Sequence, residues 1–279
     1  MKKWNMVIDV ARCHDCNDCF LADKDEFVGN DFPPYSLAQP WTGHRWIDID
    51  RKERGQYPIV QVAYLPQPCM HCAEAPCIND SPDGAVYRLE NGLVIIDPIK
   101  AKGHREIVGT CPYGAIFWNE EAEVAQKCTG CAHLIADGWT ETRCSQVCPT
   151  GAMTLVFADD EEMTARSAAD GLVALKAELG TKPRVLYKNL HKWNTAFVAA
   201  GVAYKDTDEC AEGAKVRVTG ADGSVAEGLA NNYGEVVVDR LQPGCEYDVV
   251  VEAAGYKPYS TKIQLKDSTN LGIILLDKA

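Results

Sequence analysis

The spacing of the cysteines constrains this chain more than any other feature of its sequence. The chain has 13 cysteines in 279 residues, and all but two of them lie between Cys13 and Cys148. Cys13, Cys16 and Cys19 have the C-x2-C-x2-C spacing with which one tight loop presents three thiolates to a cubane iron–sulfur cluster. The fourth ligand of such a cluster comes from elsewhere in the chain. The sequence therefore predicts at least one iron–sulfur cluster.

Two further groups of cysteines have related spacings. They are C-x2-C-x4-C at Cys69, Cys72 and Cys77, and C-x2-C-x12-C-x3-C-P at Cys128, Cys131, Cys144 and Cys148. A separate cysteine, Cys111, also precedes a proline, and cysteine–proline steps are typical of ferredoxins. These groups predict additional clusters.

Disulfides and structural zinc are the competing interpretations of the cysteines. Disulfide frameworks are typical of short secreted chains, whereas this chain is long, is 46% hydrophobic and begins with no recognisable secretory leader. A zinc ribbon would account for the group at 128–148 but not for the group at 13–19 or for the cysteine–proline steps. Iron-bound thiolates are therefore favoured. The two remaining cysteines, Cys210 and Cys245, are expected to be free, because nothing in the sequence fixes their distance.

Charge and hydropathy exclude several classes of function. The formal net charge of -12 disfavours binding to nucleic acid or to anionic lipid. No apolar run approaches the ~18 residues of a membrane-spanning helix. We find no Gly-rich phosphate loop and no nucleophile paired with a base. We therefore expect a cytoplasmic chain with no nucleic-acid partner, no membrane anchor and no catalytic residue of its own.

The composition changes near residue 195. Before this point the clearest helical pattern covers residues 161–179, with the acidic residues 159–162 at its amino end. After it, alternating segments predict strands at 197–204, 215–219, 235–238, 247–252, 259–265 and 271–276. The stretch from Ala214 onward resembles the transthyretin-like or carboxypeptidase-regulatory-like β domains, which implies a small sandwich or barrel that serves in structure or docking.

The cysteine motifs and their flanking residues resemble a known family. The matching segments are MVID at 6–9, CMHCAEAPC from Cys69, CPYGAI from Cys111, KCTGCAHLIADG from Lys127 and CSQVCPTGAM from Cys144. They resemble the ferredoxin-like electron-transfer subunits of the dimethyl sulfoxide reductase superfamily, whose enzymes carry a molybdenum or tungsten bis-pterin cofactor. The resemblance implies an α+β fold with two ferredoxin-like modules over residues 1–195. One module, at about 60–118, is inserted in the other, and the all-β domain follows at 196–279.

The departures from this family pattern are grouped. Members have four motifs of four cysteines, and the last cysteine of each motif ligates the cluster of the paired motif. By this rule one cluster would be held at the positions of Ser81, Ala101, His104 and Ile107. Because alanine and isoleucine cannot ligate iron, we expect that cluster to be missing.

The same rule assigns ligands to three remaining clusters. The first is held by Cys13, Cys16, Cys19 and Cys148, the second by Cys69, Cys72, Cys77 and Cys111, and the third by Cys128, Cys131, Cys144 and Asp23. Asp23 stands where the family has a cysteine, and a carboxylate is a harder ligand that holds iron more weakly. The alternative is a solvent-facing Asp23 beside a 3Fe-4S cluster. His14, His71 and His133 are expected to pack over clusters or donate to sulfur rather than to ligate iron.

The resemblance also implies a partner. In this family such a chain forms a heterodimer with a large subunit that carries the molybdenum cofactor and the active site. The first cluster normally lies nearest that subunit, and the missing one is the distal cluster that serves a membrane anchor. A subunit of a respiratory reductase with another electron partner and a free-standing polyferredoxin are the alternatives.

Overall fold

Short strands and short helices alternate through the first two thirds of the chain in the computed structural model, which describes residues 1–279. The strands there are β1 (Lys3–Asp9), β2 (Ile47–Gln56), β3 (Ile59–Pro68), β4 (Val86–Arg88), β5 (Val94–Ile96), β6 (Phe117–Asn119), β7 (Val124–Gln126), β8 (Met153–Ala158), β9 (Val173–Ala174) and β10 (Val185–Lys188). The helices are α1 (Asp18–Phe27), α2 (Pro76–Asn79), α3 (Ala132–Ala136), α4 (Arg143–Gln146), α5 (Asp160–Asp170) and α6 (His191–Asn194). Three 3-10 helices cover Pro82–Gly84, Arg105–Thr110 and Ala177–Leu179.

A four-stranded sheet in the order β8-β1-β10-β9 organises this part of the chain. β1 pairs in parallel with β10 and antiparallel with β8, while β9 pairs antiparallel with β10. Met6, Val7 and Ile8 of β1 are buried, as expected of a central strand with both neighbours paired. The chain leaves β1 directly into the loop of Cys13, Cys16 and Cys19, which ends in α1.

Five of the other cysteines lie in loops and short helices next to three small hairpins, β2–β3, β4–β5 and β6–β7. Cys69 and Cys72 follow β3, and Cys77 lies in α2. Cys128 follows β7. Cys131 precedes α3 with a left-handed backbone (φ 54°). The hairpins thus supply short, hydrogen-bonded supports for loops that have little regular structure themselves.

The helix predicted at 161–179 is shorter than expected. The acidic residues do form its amino end, because the Asp159 carboxylate accepts from the backbone N–H groups of Glu161 and Glu162, and the Glu162 side chain accepts from the N–H of Asp159. The helix ends at Asp170 because Gly171 adopts a left-handed backbone (φ 64°). The prediction is therefore wrong for its second half, which forms β9 and a 3-10 turn.

The last third of the chain forms two sheets. Its strands are β11 (Ala196–Tyr204), β12 (Lys215–Gly220), β13 (Val225–Leu229), β14 (Glu235–Leu241), β15 (Cys245–Glu252), β16 (Tyr259–Leu265) and β17 (Thr269–Leu276). The sheets have the orders β14-β11-β17 and β13-β12-β15-β16. They share one core, which includes the fully buried Val198, Val218 and Val249. All six predicted strands are present, and β13, whose side chains are mostly exposed or half-buried, was not predicted.

The backbone separates into two compact units, residues 1–50 with 64–190 and residues 51–63 with 191–279. The second unit therefore contains the tip of the β2–β3 hairpin as well as the two C-terminal sheets. None of the helices combines the length and the apolar character needed to span a bilayer.

Candidate iron-sulfur centres

The structure brings the first predicted group together around one cavity. Cys13, Cys16, Cys19 and Cys148 all line it, although Cys148 is more than 120 positions away from the others in sequence. Burial raises the pKa of Cys13, and the neighbouring Cys16 and Cys148 raise it further. The grouping of Cys148 with the loop at 13–19 has the crossed pattern of two-cluster ferredoxins.

The second predicted group is also assembled from separate segments. Burial raises the pKa of Cys77 to about 12, and the nearby Cys69, Cys111 and Cys72 contribute to this rise. Burial likewise raises the pKa of Cys72 to about 11, again with contributions from Cys69 and Cys111. Cys111 lies directly after the 3-10 helix Arg105–Thr110, and its sulfur accepts from the backbone N–H of Ala115 at 3.5 Å.

The third group contains the predicted carboxylate. Asp23, Cys128, Cys131 and Cys144 line a common cavity. Asp23 lies on α1 and is 6% exposed, so it does not face solvent. Burial raises its pKa to about 6 despite a hydrogen bond at 2.9 Å that Gln39 Nε2 donates to its Oδ2. Burial also raises the pKa of Cys144 to about 11, and the nearby Asp23 adds to the effect.

The third group lies between the other two. On one side, burial raises the pKa of Cys19 of the first group, and the nearby Cys144 adds to this rise. On the other side, Cys69 of the second group lines the cavity of the third. The third group is therefore adjacent to each of the other two.

The donor atoms around these groups fit metal-bound thiolates. All 13 cysteines are free, and none of them forms a disulfide. Backbone N–H groups donate to sulfur, from Gly130 to Cys128 at 3.4 Å and from Arg143 to Cys131 at 3.4 Å. Such donors stabilise a charged sulfur rather than a neutral thiol. Several acidic groups buried at close range need a cation among them, and iron is the cation that this donor set suits.

The zinc-ribbon interpretation does not fit the structure. Cys148 lies with Cys13 and not with Cys128, Cys131 and Cys144. Across residues 1–279, no three His, Cys, Asp or Glu side chains converge closely enough to hold a single metal ion. A multi-iron cluster is larger than one ion, so its ligands stand farther apart.

The four side chains at the positions of the cluster that we expect to be missing make contacts within the protein. Ala101 and Ile107 are fully buried. Ser81 uses its hydroxyl within its own turn, donating to the carbonyl of Ile78 and accepting from the N–H of Val86, both at 3.2 Å. His104 pairs with exposed Glu106 at 2.8 Å. The four side chains thus have other uses, and two of them form apolar packing.

Two polar residues of these sites were missed by sequence reasoning. Gln39, the partner of Asp23, lies in no motif and gave no signal. Lys127 is 3% exposed, has no carboxylate partner, and donates from Nζ to the backbone carbonyls of Val94 and Cys128. Its place directly before Cys128 is visible in the sequence, but its burial without a carboxylate partner is not.

Comparison with known proteins shows the family of this chain. A family model described as a 4Fe-4S dicluster domain matches residues 60–158. The chain belongs to the iron–sulfur electron-transfer subunits of the dimethyl sulfoxide reductase superfamily, and its N-terminal part is a ferredoxin-like 4Fe-4S domain of mixed helix and strand.

One similar protein is the pyrogallol hydroxytransferase small subunit of Pelobacter acidigallici, 45% identical over 280 residues that cover 99% of this chain and 100% of the relative. A putative dimethyl sulfoxide reductase iron–sulfur subunit of Halobacterium salinarum is 30% identical over 82% of this chain and 94% of its own length. A tetrathionate reductase subunit of Salmonella typhimurium is 31% identical over 67% of this chain and 73% of its own length. Three cluster sites, Asp23 and the β domain together predict a resemblance to pyrogallol–phloroglucinol transhydroxylase, and the first of these similarities confirms it.

Proposed function

We propose that this chain is the three-cluster electron-transfer subunit of a molybdenum transhydroxylase, an enzyme that moves a hydroxyl group between polyphenol rings. The observation that carries the proposal is the 45% identity to the Pelobacter subunit over the whole of both chains. The loss of one complete ligand set supports it. Hydroxyl transfer between two rings is redox-neutral overall, so such an enzyme needs no distal outlet for electrons.

The ligand sets follow the three groups of side chains. Cys13, Cys16, Cys19 and Cys148 hold the first 4Fe-4S cluster, Cys69, Cys72, Cys77 and Cys111 the second, and Cys128, Cys131, Cys144 and Asp23 the third. Asp23 supplies an oxygen ligand, supported by its burial at 6% exposure and by its place among three cysteines. A 3Fe-4S cluster in the third site is the alternative that the test below separates.

The clusters, when bound, accept and release single electrons. The chain's own residues hold the third cluster site next to each of the other two. They also set the energy of each reduced state through N–H donors and through the ammonium of Lys127. We assign no catalytic residue and no nucleotide site to this chain. The active site belongs to the partner.

The partner in this proposal is a large subunit with a molybdenum bis-pterin cofactor, in a cytoplasmic heterodimer without membrane anchor or nucleic acid. The Pelobacter relative is itself named a small subunit. The double ferredoxin-like domain then covers about 1–195, with the inserted module at about 60–118. The transthyretin-like domain at 196–279 covers surface of the large subunit, and deletion after residue 195 is expected to weaken assembly.

The test is the purified complex, expressed anaerobically. We expect a molybdenum subunit to co-purify, hydroxyl transfer between polyphenols, and about 12 irons in this chain with matching sulfide. About 11 irons with an oxidised 3Fe signal would remove Asp23 as a ligand, and about 16 would contradict the missing cluster. Rapid exchange with external quinols without transfer activity would indicate a respiratory reductase. A monomer without a molybdenum partner would indicate a polyferredoxin.

A further inference from the structure

His71 lies between Cys69 and Cys72, yet its ring is held by a different segment. The side chain is 6% exposed. Its Nδ1 accepts a hydrogen bond at 2.9 Å from the backbone N–H of Val94 in β5. A backbone N–H can only donate, so Nδ1 carries the lone pair. In the neutral ring the hydrogen is therefore on Nε2.

The Nε2 atom is buried and has no hydrogen-bond partner in the protein. A buried donor without an acceptor is unfavourable, and native proteins rarely leave one. The acceptor that His71 requires must therefore come from a group other than the side chains and backbone of this chain.

The direction of Nε2 identifies that group. A Cβ atom added to Gly130 would stand 3.2 Å from Nε2, so the atom faces the Cys128–Cys131 loop. His71 also lines the cavity formed by Asp23, Cys128, Cys131 and Cys144, together with Gly130. This cavity is the third cluster site. The ring thus faces the cavity of the third group, although its flanking cysteines belong to the second.

We propose that His71 donates a hydrogen bond from Nε2 to a sulfur of the third cluster, so that a residue of the second cluster's binding loop tunes its neighbour. The proposal rests on the ligand sets proposed above. A donor to sulfur stabilises the more negative, reduced cluster. His71 therefore raises the midpoint potential of the third cluster. It does so from the binding loop of the second cluster.

The direct test uses the complex labelled with ¹⁵N-histidine. Pulsed EPR of the reduced clusters should show a weak ¹⁵N coupling on the signal of the third cluster. That signal is identified as the one whose g-values change in Asp23→Cys. The same coupling on the second cluster's signal, or on neither, would overturn the proposal. A strong coupling typical of a nitrogen bound to iron would overturn it as well.

Substitutions give the second readout. His71→Phe should lose the coupling and lower the midpoint potential of the third cluster alone. His71→Gln can accept from Val94 and donate to sulfur, so it should restore much of the potential. His14→Phe, an exposed histidine in the first cysteine loop, is the matched control and should leave the third cluster unchanged. An unchanged potential in a folded His71→Phe complex would refute the assignment.

The wild-type labelling experiment stands even if His71→Phe does not assemble. Failure of the two proposals is also distinguishable. A wrong iron count or a missing molybdenum partner contradicts the proposed function, whereas a correct count with the coupling on another cluster contradicts only the role of His71.

Discussion

Asp23 gives the sharpest test of the cluster assignment, because substitution by asparagine separates its structural and metal-binding roles. Asparagine has nearly the same shape, and its Oδ1 can still accept from Gln39 Nε2, which now donates to Asp23 at 2.9 Å. The amide has no charge and is a poor ligand for iron. Asp23→Asn therefore keeps the local hydrogen bond and removes the proposed metal bond.

The expected magnitudes come from the burial of the carboxyl. Burial raises the pKa of Asp23 from its ordinary 3.8 to about 6 even with the Gln39 hydrogen bond. A rise of this size corresponds to a cost of about 3 kcal/mol for the ionised carboxylate. In a fold without iron at this site, Asp23→Asn would relieve that cost at neutral pH. In the metal-bound protein, iron would offset that cost, and the same substitution removes the bond between Asp23 and iron.

Asp23→Asn therefore has opposite expected effects in the two cases: it removes iron if Asp23 is a ligand, and it stabilises the fold if Asp23 is not. If Asp23 ligates iron, the purified Asp23→Asn complex should contain about 11 irons instead of about 12 and show a 3Fe signal in the oxidised state. Asp23→Cys should keep about 12 irons with changed g-values of one reduced cluster. Metal analysis and EPR of the wild-type, Asp23→Asn and Asp23→Cys complexes measure the iron content and the cluster signals. If the asparagine variant keeps its iron and its spectrum while its free energy of unfolding rises by about 3 kcal/mol, the ligand assignment is refuted.

Three further outcomes follow from other buried residues. Lys127→Met should lower the potentials of the adjacent clusters in redox titration, because a unit charge about 8 Å away in an effective dielectric of about 20 contributes on the order of 2 kcal/mol to the reduced state, or roughly 90 mV for one electron. Unchanged potentials would contradict that role. Ile107→Ala should lower the free energy of unfolding by about 2–5 kcal/mol, since the side chain is fully buried in the protein. A loss below about 1 kcal/mol would show that this packing contributes little. Asp239→Asn should lower the free energy of unfolding by about 3–5 kcal/mol. The Arg54 side chain is 1% exposed, its Nη2 lies 2.5 Å from Asp239 Oδ1, and it would keep a buried charge without a charged partner. Arg54→Met, the control, should lower the free energy of unfolding by less, because it removes the buried charge itself.

Much of the fold and of the candidate site follows from local sequence. Alternating side chains predicted six strands of the C-terminal sheets, and the acidic residues 159–162 predicted the start of α5. The sequence predictions of secondary structure fail where a single residue ends an element or where a strand forms only by pairing with its neighbour. Gly171 ends α5 by adopting a left-handed backbone, and β13 forms on the edge of a sheet with few buried side chains to mark it.

The sequence by itself determined which chemistry is possible. The spacing of the cysteines within each loop depends on neighbouring positions and can be read without a structure. The expectation that Ser81, Ala101, His104 and Ile107 replace one whole ligand set needs only the sequence as well. The tertiary structure alone decided which distant side chains meet. It buried Asp23 beside Gln39, placed Lys127 without a counter-charge, and turned His71 from its own loop toward the next cavity. Such contacts depend on packing between segments far apart in the chain, and no local pattern encodes them.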